Sequence, residues 1–255
     1  MPVPGEHDRL RVVLVSTRNP LNIGAAARAM SNFGFRHLRV VNPYEAAFRE
    51  ARSAVGASAL LKSASEYTSL AEAVADCALV VGTTTARHRE LQHPLRGLEE
   101  GARLIRKLAS GRVALLFGSE KRGLSNHDLS YCHWLVRIPT HDEHSSMNLG
   151  QAVAVCLYEL ARGARKKGLP KQLRATERLQ KNDSAAAGQL ERITAMLLDA
   201  LCASGYLKPQ PGASTEEKVR RLIRHLNLPA SDAELWLGML RQMVWKMRSG
   251  KELKE

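Results

Sequence analysis

Long apolar runs are missing from this 255-residue chain, and so are the compact signatures of several common catalytic sites. No stretch approaches the roughly 20 apolar residues that a membrane-crossing helix needs. The opening MPVPGEHDRL also lacks the basic-then-apolar pattern of a secretory signal, so no membrane is expected as a partner. The four cysteines, Cys77, Cys132, Cys156 and Cys202, are widely spaced and form no CxxC pair. That argues against a zinc ribbon and offers no disulfide framework, which makes a reducing cytoplasm the expected setting. No GxGxxG follows the first apolar run and no GxxxxGKS or GxxxxGKT occurs, so a dinucleotide fingerprint and a P-loop both lack support. Ser119 sits in GSEKRG rather than GxSxG, which removes the nucleophile elbow. His141, Asp142, Glu143 and His144 are dense in donor atoms, but the HExxH spacing is absent; a hydrated loop accounts for them, and no metal is expected.

Acidic residues are also scarce relative to basic ones. The chain has 38 Lys and Arg against 25 Asp and Glu, a formal net charge of +13 and a pI near 10.0. Such an excess favours a polyanionic partner, with nucleic acid ahead of a membrane surface. Hydrophobic content of 44% and charged content of 25% fit a folded protein, and the length allows one α/β domain with an appendage.

What is present alternates between strand-like and helix-like segments. Residues 10–15, LRVVLV, read as a buried strand and end at the loop STRNPLN. IGAAARAMSNFG then reads as a helix, with Asn22 as candidate N-cap and Gly34 as the stop. Its run of small alanines allows another backbone or a ligand to come close. Residues 37–41 form a second expected strand, helical material covers 44–74, and residues 77–82 form a third strand that opens into TTTARHRE. A helix over 95–108, a strand over 113–117, a helical turn near 126–129, a strand over 134–138 and a helix over 148–164 follow. Strands alternating with helices predict a parallel sheet with helices on both faces, and the polar loops that follow strands should gather on one edge. Ligands bind at that edge in open α/β sheets.

After residue 165 the character changes. Arg162, Arg165, Lys166, Lys167, Lys171, Arg174, Arg178 and Lys181 stand against the single acid Glu177, with Gly168 and Pro170 as breakers. The predicted organisation is an α/β unit over 1–165, a basic linker over 166–187 and a small helical unit over 188–255. Amphipathic helices are expected at 188–204, 215–226 and 231–249, the last with Leu235, Trp236, Met239, Leu240, Met243, Val244 and Met247 on one side.

Taken singly, Asn22 with Arg28, the turn GSEKRGLSN and the segment HSSMNLG are each most simply structural, the last as a helix capped by Ser145 or Ser146. Their order carries more information. NPLNIGAAARAM follows the first strand, LLFGSEKRGLSN a later one, and IPTHDEHSSMNLGQAVAVCLYE the next. Together they resemble the three motifs of the SpoU/TrmH branch of the SPOUT RNA methyltransferases, over about residues 10–165. VVGTTTARHRE and the helical C-terminal region resemble the TrmJ subgroup, which 2'-O-methylates tRNA at nucleotide 32 of the anticodon loop.

This resemblance implies a sheet whose C-terminal part is a trefoil knot binding S-adenosyl-L-methionine, in a homodimeric enzyme. It assigns the cofactor to Thr83, Thr84, Thr85, Phe117, Gly118, Ile138, Ser145, Ser146 and Met147. Methyl transfer from a sulfonium needs no metal; it needs two positioned reactants and help for a ribose hydroxyl losing its proton. Arginine is a poor base, but a guanidinium beside the hydroxyl or its phosphate stabilises the developing alkoxide. Arg28 is therefore the main catalytic candidate, with Ser146 and Asn148 orienting the ribose or the helix start, and Asn22 and Glu120 holding Arg28 or the loop. Arg18, Arg87, Arg89, Arg122, Arg165, Lys166 and Lys167 are the candidate tRNA contacts, and Arg220, Arg221, Arg224, Lys246 and Arg248 extend them. The competing readings are a sister enzyme acting on rRNA, an RNA-binding protein that keeps the fold without turnover, and a Rossmann-type nucleotide binder.

Overall fold

The computed structural model describes residues 7–53, 59–85, 91–108, 110–141, 143, 146–165 and 184–252. In chain order the first half comprises β1 (Leu10–Val15), α1 (Pro20–Phe33), β2 (His37–Val41), α2 (Glu45–Ser53), α3 (Ala59–Lys62), β3 (Ser65–Tyr67), α4 (Leu70–Val74) and β4 (Cys77–Thr83). β5 (Leu95–Gly97), α5 (Leu98–Lys107), β6 (Arg112–Phe117), α6 (Asn126–Ser130), β7 (Trp134–Arg137) and α7 (Leu149–Arg165) follow. The chain continues into α8 (Ala187–Ala203), α9 (Ala213–His225) and α10 (Ala230–Glu252).

Among the described residues seven strands form one sheet in the order β3-β2-β1-β6-β4-β7-β5, every pair parallel. β1 is buried along its whole length, because helices cover both faces of the sheet. Alternate residues feed two cores. Val12 and Leu14 pack with Ile23, Met30, Val153 and Leu157 of α1 and α7, whereas Val13 and Val15 pack with Leu70, Val74, Leu124, Leu129 and Tyr131 on the other face.

Three local readings need correction. The segment expected as one helix over 95–108 begins instead as the edge strand β5, whose Arg96 pairs with Val136, and the helix starts at Leu98 after Gly97. The region expected to be helical from 44 to 74 contains β3, which extends the opposite edge of the sheet. A short edge strand carries too few residues for an alternation to register. Finally, Asn19 and not Asn22 caps α1: its side chain accepts from the Leu21 N–H at 2.9 Å, and Pro20 takes the first helical position, where its missing N–H is no loss. Asn22 is thereby freed for bonds elsewhere.

The C-terminal helices have their own core, in which Leu190, Ile193, Ile223, Ala233, Leu237, Leu240 and Val244 are buried. The inward stripe of α10 thus runs through Ala233, Leu237, Leu240 and Val244, while Leu235, Met239 and Met243 of the expected stripe face outward. α8 docks on the second face of the sheet: Gly188 N–H donates to Ala75 O at 2.9 Å, and Ala187 joins that core. A side chain on Gly188 would sit 3.1 Å from that same carbonyl, which accounts for glycine there.

Candidate active site at the carboxyl edge of the sheet

The strands β4, β6 and β7 lie side by side and end on one edge, where their exit loops enclose a cleft of about 480 Å³. Thr83, Thr84 and Thr85 come from the first exit, Phe117 and Gly118 from the second, and Ile138, Ser146 and Met147 from the third. Two bonds fix the first exit: Thr83 Oγ1 donates to Leu116 O at 2.8 Å, and Thr84 N–H donates to Val136 O at 3.0 Å. Cysteines stay out of the chemistry. Cys77, Cys132 and Cys156 are free and buried, and burial pushes the thiols of Cys77 and Cys156 up to about 12.

Gly118 is required by close approach. A Cβ there would lie 2.0 Å from Gly123 C and 2.1 Å from Leu124 N, because residues 118–124 fold back on themselves. Gly123, at φ +66, provides the left-handed residue that the return needs, and its N–H donates to Ser119 O at 2.8 Å. Glu120 is carried at the tip. Its carboxylate accepts from Arg18 N–H at 3.2 Å, Asn19 N–H at 3.1 Å and Asn22 Nδ2 at 3.1 Å. Partial burial pushes its pKa up, but those bonds, with its own backbone N–H, outweigh burial and hold it below the ordinary carboxylate value.

The network continues. Asn148 Nδ2 donates to Asn22 Oδ1 at 2.7 Å, and Asn148 Oδ1 accepts from Gly150 N–H at 2.9 Å and from Gln151 N–H at 3.4 Å. Asn148 therefore caps α7 in place of the expected serines; Ser146 is exposed on the cleft rim, and Ser145 lies outside the described residues. The close approach foreseen from the alanines of α1 occurs at Gly150, where a Cβ would stand 2.5 Å from that of Ala25. Asn22, Glu120 and Asn148 join the three motif segments into one hydrogen-bonded frame beside the cleft.

Arg28 lies six residues beyond Asn22 on α1, about 9 Å along the helix axis. It is exposed, has no ion-pair partner among the described residues and does not line the cleft. Lys121 and Arg122 stand at the cleft rim, and the Arg18 side chain is exposed nearby. Arg87, Arg89, Lys166, Lys167 and the Arg165 side chain lie outside the described residues.

Two of the C-terminal cations need correction as RNA contacts. Arg220 and Arg224 are buried against Glu191, because the helical unit uses them to hold itself in place, whereas Arg248 pairs with Asp199 on the surface and stays largely exposed. Arg221 and Lys246 remain available.

Sequence reasoning missed the apolar wall of the cleft, formed by Leu124, Leu129, Val136, Leu149 and Ala152. Val136 was within reach, since it stands near the end of β7, two residues before the expected Ile138. Leu124 lies within the motif LLFGSEKRGLSN, whereas Leu129 carries no motif signal. Among the described residues no group of three or more metal-ligating side chains gathers, and no helix is long and apolar enough to cross a membrane.

A parallel α/β sheet with a ligand-sized cleft at its carboxyl edge, walled by apolar residues and floored by loop backbone, defines an α/β protein of the edge-binding class. The chain belongs to the SpoU rRNA methylase family, whose match covers residues 9–158. It is 36% identical over 233 residues to the tRNA (cytidine/uridine-2'-O-)-methyltransferase TrmJ of Sodalis glossinidius, covering 91% of this chain and 89% of that one. The protein of the same name from Yersinia pestis (strain Pestoides F) is 36% identical over 236 residues, covering 91% and 90%. The crystal structure of TrmJ from Z. mobilis ZM4 superposes with a TM-score of 0.75 at 31% identity, over 91% of this chain and 98% of that one.

Proposed function

We propose that this chain is an S-adenosyl-L-methionine-dependent tRNA ribose 2'-O-methyltransferase, acting at nucleotide 32 of the anticodon loop as a cytoplasmic homodimer. The observation that carries the reading is the frame Glu120–Asn22–Asn148, which ties the three motif segments to one cleft. The names of relatives more than a third identical over nine tenths of the chain support the tRNA substrate, and the net charge of +13 supports a nucleic acid.

The cleft fits the cofactor in size and chemistry. Its volume lies within the range of small-molecule sites, and it combines an apolar wall with the tight loop of residues 118–124. Thr83, Thr84, Thr85, Phe117, Gly118, Ile138, Ser145, Ser146 and Met147 would hold it. The bound cofactor supplies a methyl group on a sulfonium. The protein's part is to place the ribose hydroxyl in line and exclude competing water. Arg28 stabilises the alkoxide or grips its phosphate, Ser146 orients the ribose, and Asn22, Glu120 and Asn148 keep the loops in register.

The homodimer is supported by the outer face of α1 and α7. Leu21 is 80% exposed and shares with Ala25 and Arg28 the solvent side of α1, and the exposed Tyr158 of α7 meets Phe33 edge-on at 6.1 Å. Pairing through this face puts Arg28 at the junction of the two copies. The trefoil crossing of the C-terminal strands and the division into 1–165, 166–187 and 188–255 belong to the same proposal. Mass spectrometry of tRNA nucleosides after incubation with labelled cofactor tests it: a labelled 2'-O-methylnucleoside from position 32 is expected. Label in rRNA alone, or no label, refutes it.

A further inference from the structure

Besides the Gly188–Ala75 bond and the 3.9 Å approach of His127 Nδ1 to Glu217, two arginines and one carboxylate join the helical unit to the segment around α6. Arg220 and Arg224 stand one turn apart on α9, both buried. Glu191 of α8 accepts from Arg220 Nε at 3.0 and 3.1 Å, and from Arg224 Nη2 at 3.4 Å. The free arm of Arg220 crosses to the other unit. Its Nη1 donates to Ser130 Oγ at 3.2 Å, and its guanidinium carbon lies 4.4 Å from the centroid of the Tyr131 ring. Arg224 keeps Nε and Nη1 enclosed without hydrogen-bond partners among the described residues. Enclosing two cations against one anion is costly, and apolar packing alone would dock these helices without that cost. The cluster is thus better explained by what it orients than by the contact area it adds.

What it orients is the wall of the cleft. Ser130 and Tyr131 directly follow Leu129, and Leu129 lines the cleft with Leu124. α6, which links them, has five residues: Ser125 and Asp128 form a capping box at its start, and Ser130 Oγ donates to His127 O at 2.7 Å at its end. So short a helix does not hold its own pose in water, so its position follows from its packing partners. The ligand cleft lies on one side of this segment and Arg220 on another.

We infer that Arg220, held by Glu191, is a positioning residue for the cofactor: through Ser130 and Tyr131 it fixes the Leu124 and Leu129 wall, so that the C-terminal helices set cofactor affinity. The inference rests on the reading of the cleft as the S-adenosyl-L-methionine site.

Calorimetric titration of the full-length protein with S-adenosyl-L-methionine tests it. Arg220→Ala should raise Kd about tenfold, a clear step on the affinity scale. Ser130→Ala should raise it in the same direction, and the double variant should be no weaker than Arg220→Ala alone, because both changes break one link. Arg220→Lys should fall between wild type and alanine, and Arg241→Ala, exposed on α10 and off the cluster, should match wild type. The KM for cofactor should rise while the KM for tRNA stays constant. A partly unfolded sample would lower stoichiometry and kcat without moving Kd, so a loss of stoichiometry alone overturns the inference, as does an unchanged Kd in Arg220→Ala or additivity in the double variant. If Arg220→Ala does not fold, Ser130→Ala carries the same comparison. Failure of the wild type to bind would instead overturn the reading of the cleft, and this inference with it.

Discussion

Asn22 and Asn148 stand 126 residues apart in sequence and share a hydrogen bond of 2.7 Å. Its direction is set by the helix. Because Asn148 Oδ1 accepts from the first turn of α7, its Nδ2 must face Asn22, and Asn22 is left to donate to Glu120. Asn22→Ala leaves the Asn148 Nδ2 donor without this partner and removes one of the three bonds that reach the Glu120 carboxylate from residues 18–22, and should cost about 1–3 kcal/mol in urea unfolding. Asn148→Asp keeps the acceptor that caps α7 but turns a carboxylate toward Asn22 Oδ1, and should also destabilise. Wild-type stability in both variants would mean that the frame carries no strain-bearing role.

Arg28 is exposed and outside the cleft. Arg28→Ala should therefore leave cofactor affinity, measured by calorimetry, at the wild-type value. Turnover on tRNA should fall about 100-fold or more, the usual loss when a group that stabilises a developing oxyanion is removed. Retained turnover would sink the catalytic assignment.

Gly118→Ala forces a methyl group into the space held by the Gly123 backbone, at 2.0 Å. The loop has to open, and Glu120 moves with it. Cofactor binding should fall beyond detection while the far-UV circular dichroism stays close to wild type, since the strand ends just before this residue. A bound cofactor of unchanged affinity would contradict the close approach.

Stability should fall on mild acidification. His133 is buried, with Nδ1 accepting from Val80 N–H at 3.1 Å; burial, helped by Arg224, pushes its pKa down to about 3 from the model-compound 6.5. A base with a lowered folded pKa binds its proton in the unfolded state first, so stability is full above pH 6.5 and is lost as pH falls toward about 3. This group alone contributes a slope of up to about 1.4 kcal/mol per pH unit. His93 is displaced in the same direction, to about 4, chiefly by burial. Urea unfolding between pH 7 and pH 5 should show the slope, and His133→Gln should flatten it. An unchanged slope in that variant would place the protons elsewhere.

Arg221→Ala and Lys246→Ala should weaken tRNA binding, each lowering the salt-dependence slope by about 1 if it neutralises a phosphate. Arg248→Ala, which removes a partner of Asp199, should leave that slope unchanged. The reverse pattern would redraw the RNA footprint.

The sequence was most legible where residues are periodic or where a loop must turn sharply. β1, fully buried and apolar except for Arg11, declares itself, and so does the glycine-rich return after β6. Arg220 was misread for a physical reason: an arginine on an amphipathic helix looks solvated until its carboxylate partner, Glu191, 29 positions away, is brought beside it. The same limit hid β5, whose three residues become a strand only through pairing with β7. Asn22 looked like a helix cap because the residue type fits; Pro20 decided that the helix starts earlier, and the freed side chain became part of the site frame.

The place of β1 in the sheet also sets a timetable for making the protein. Leu10 pairs with Val113, so one edge of this buried strand waits for a partner about 100 residues later in translation, roughly 5–20 s at ordinary ribosome speeds. During that interval its open backbone is a template for pairing with other chains. The cleft waits longer still, because its third loop enters last and the helices that brace α6 come after it. A ribosome-bound fragment ending before β6 is therefore a sticky, half-paired sheet, and the place for the ligand is made only later.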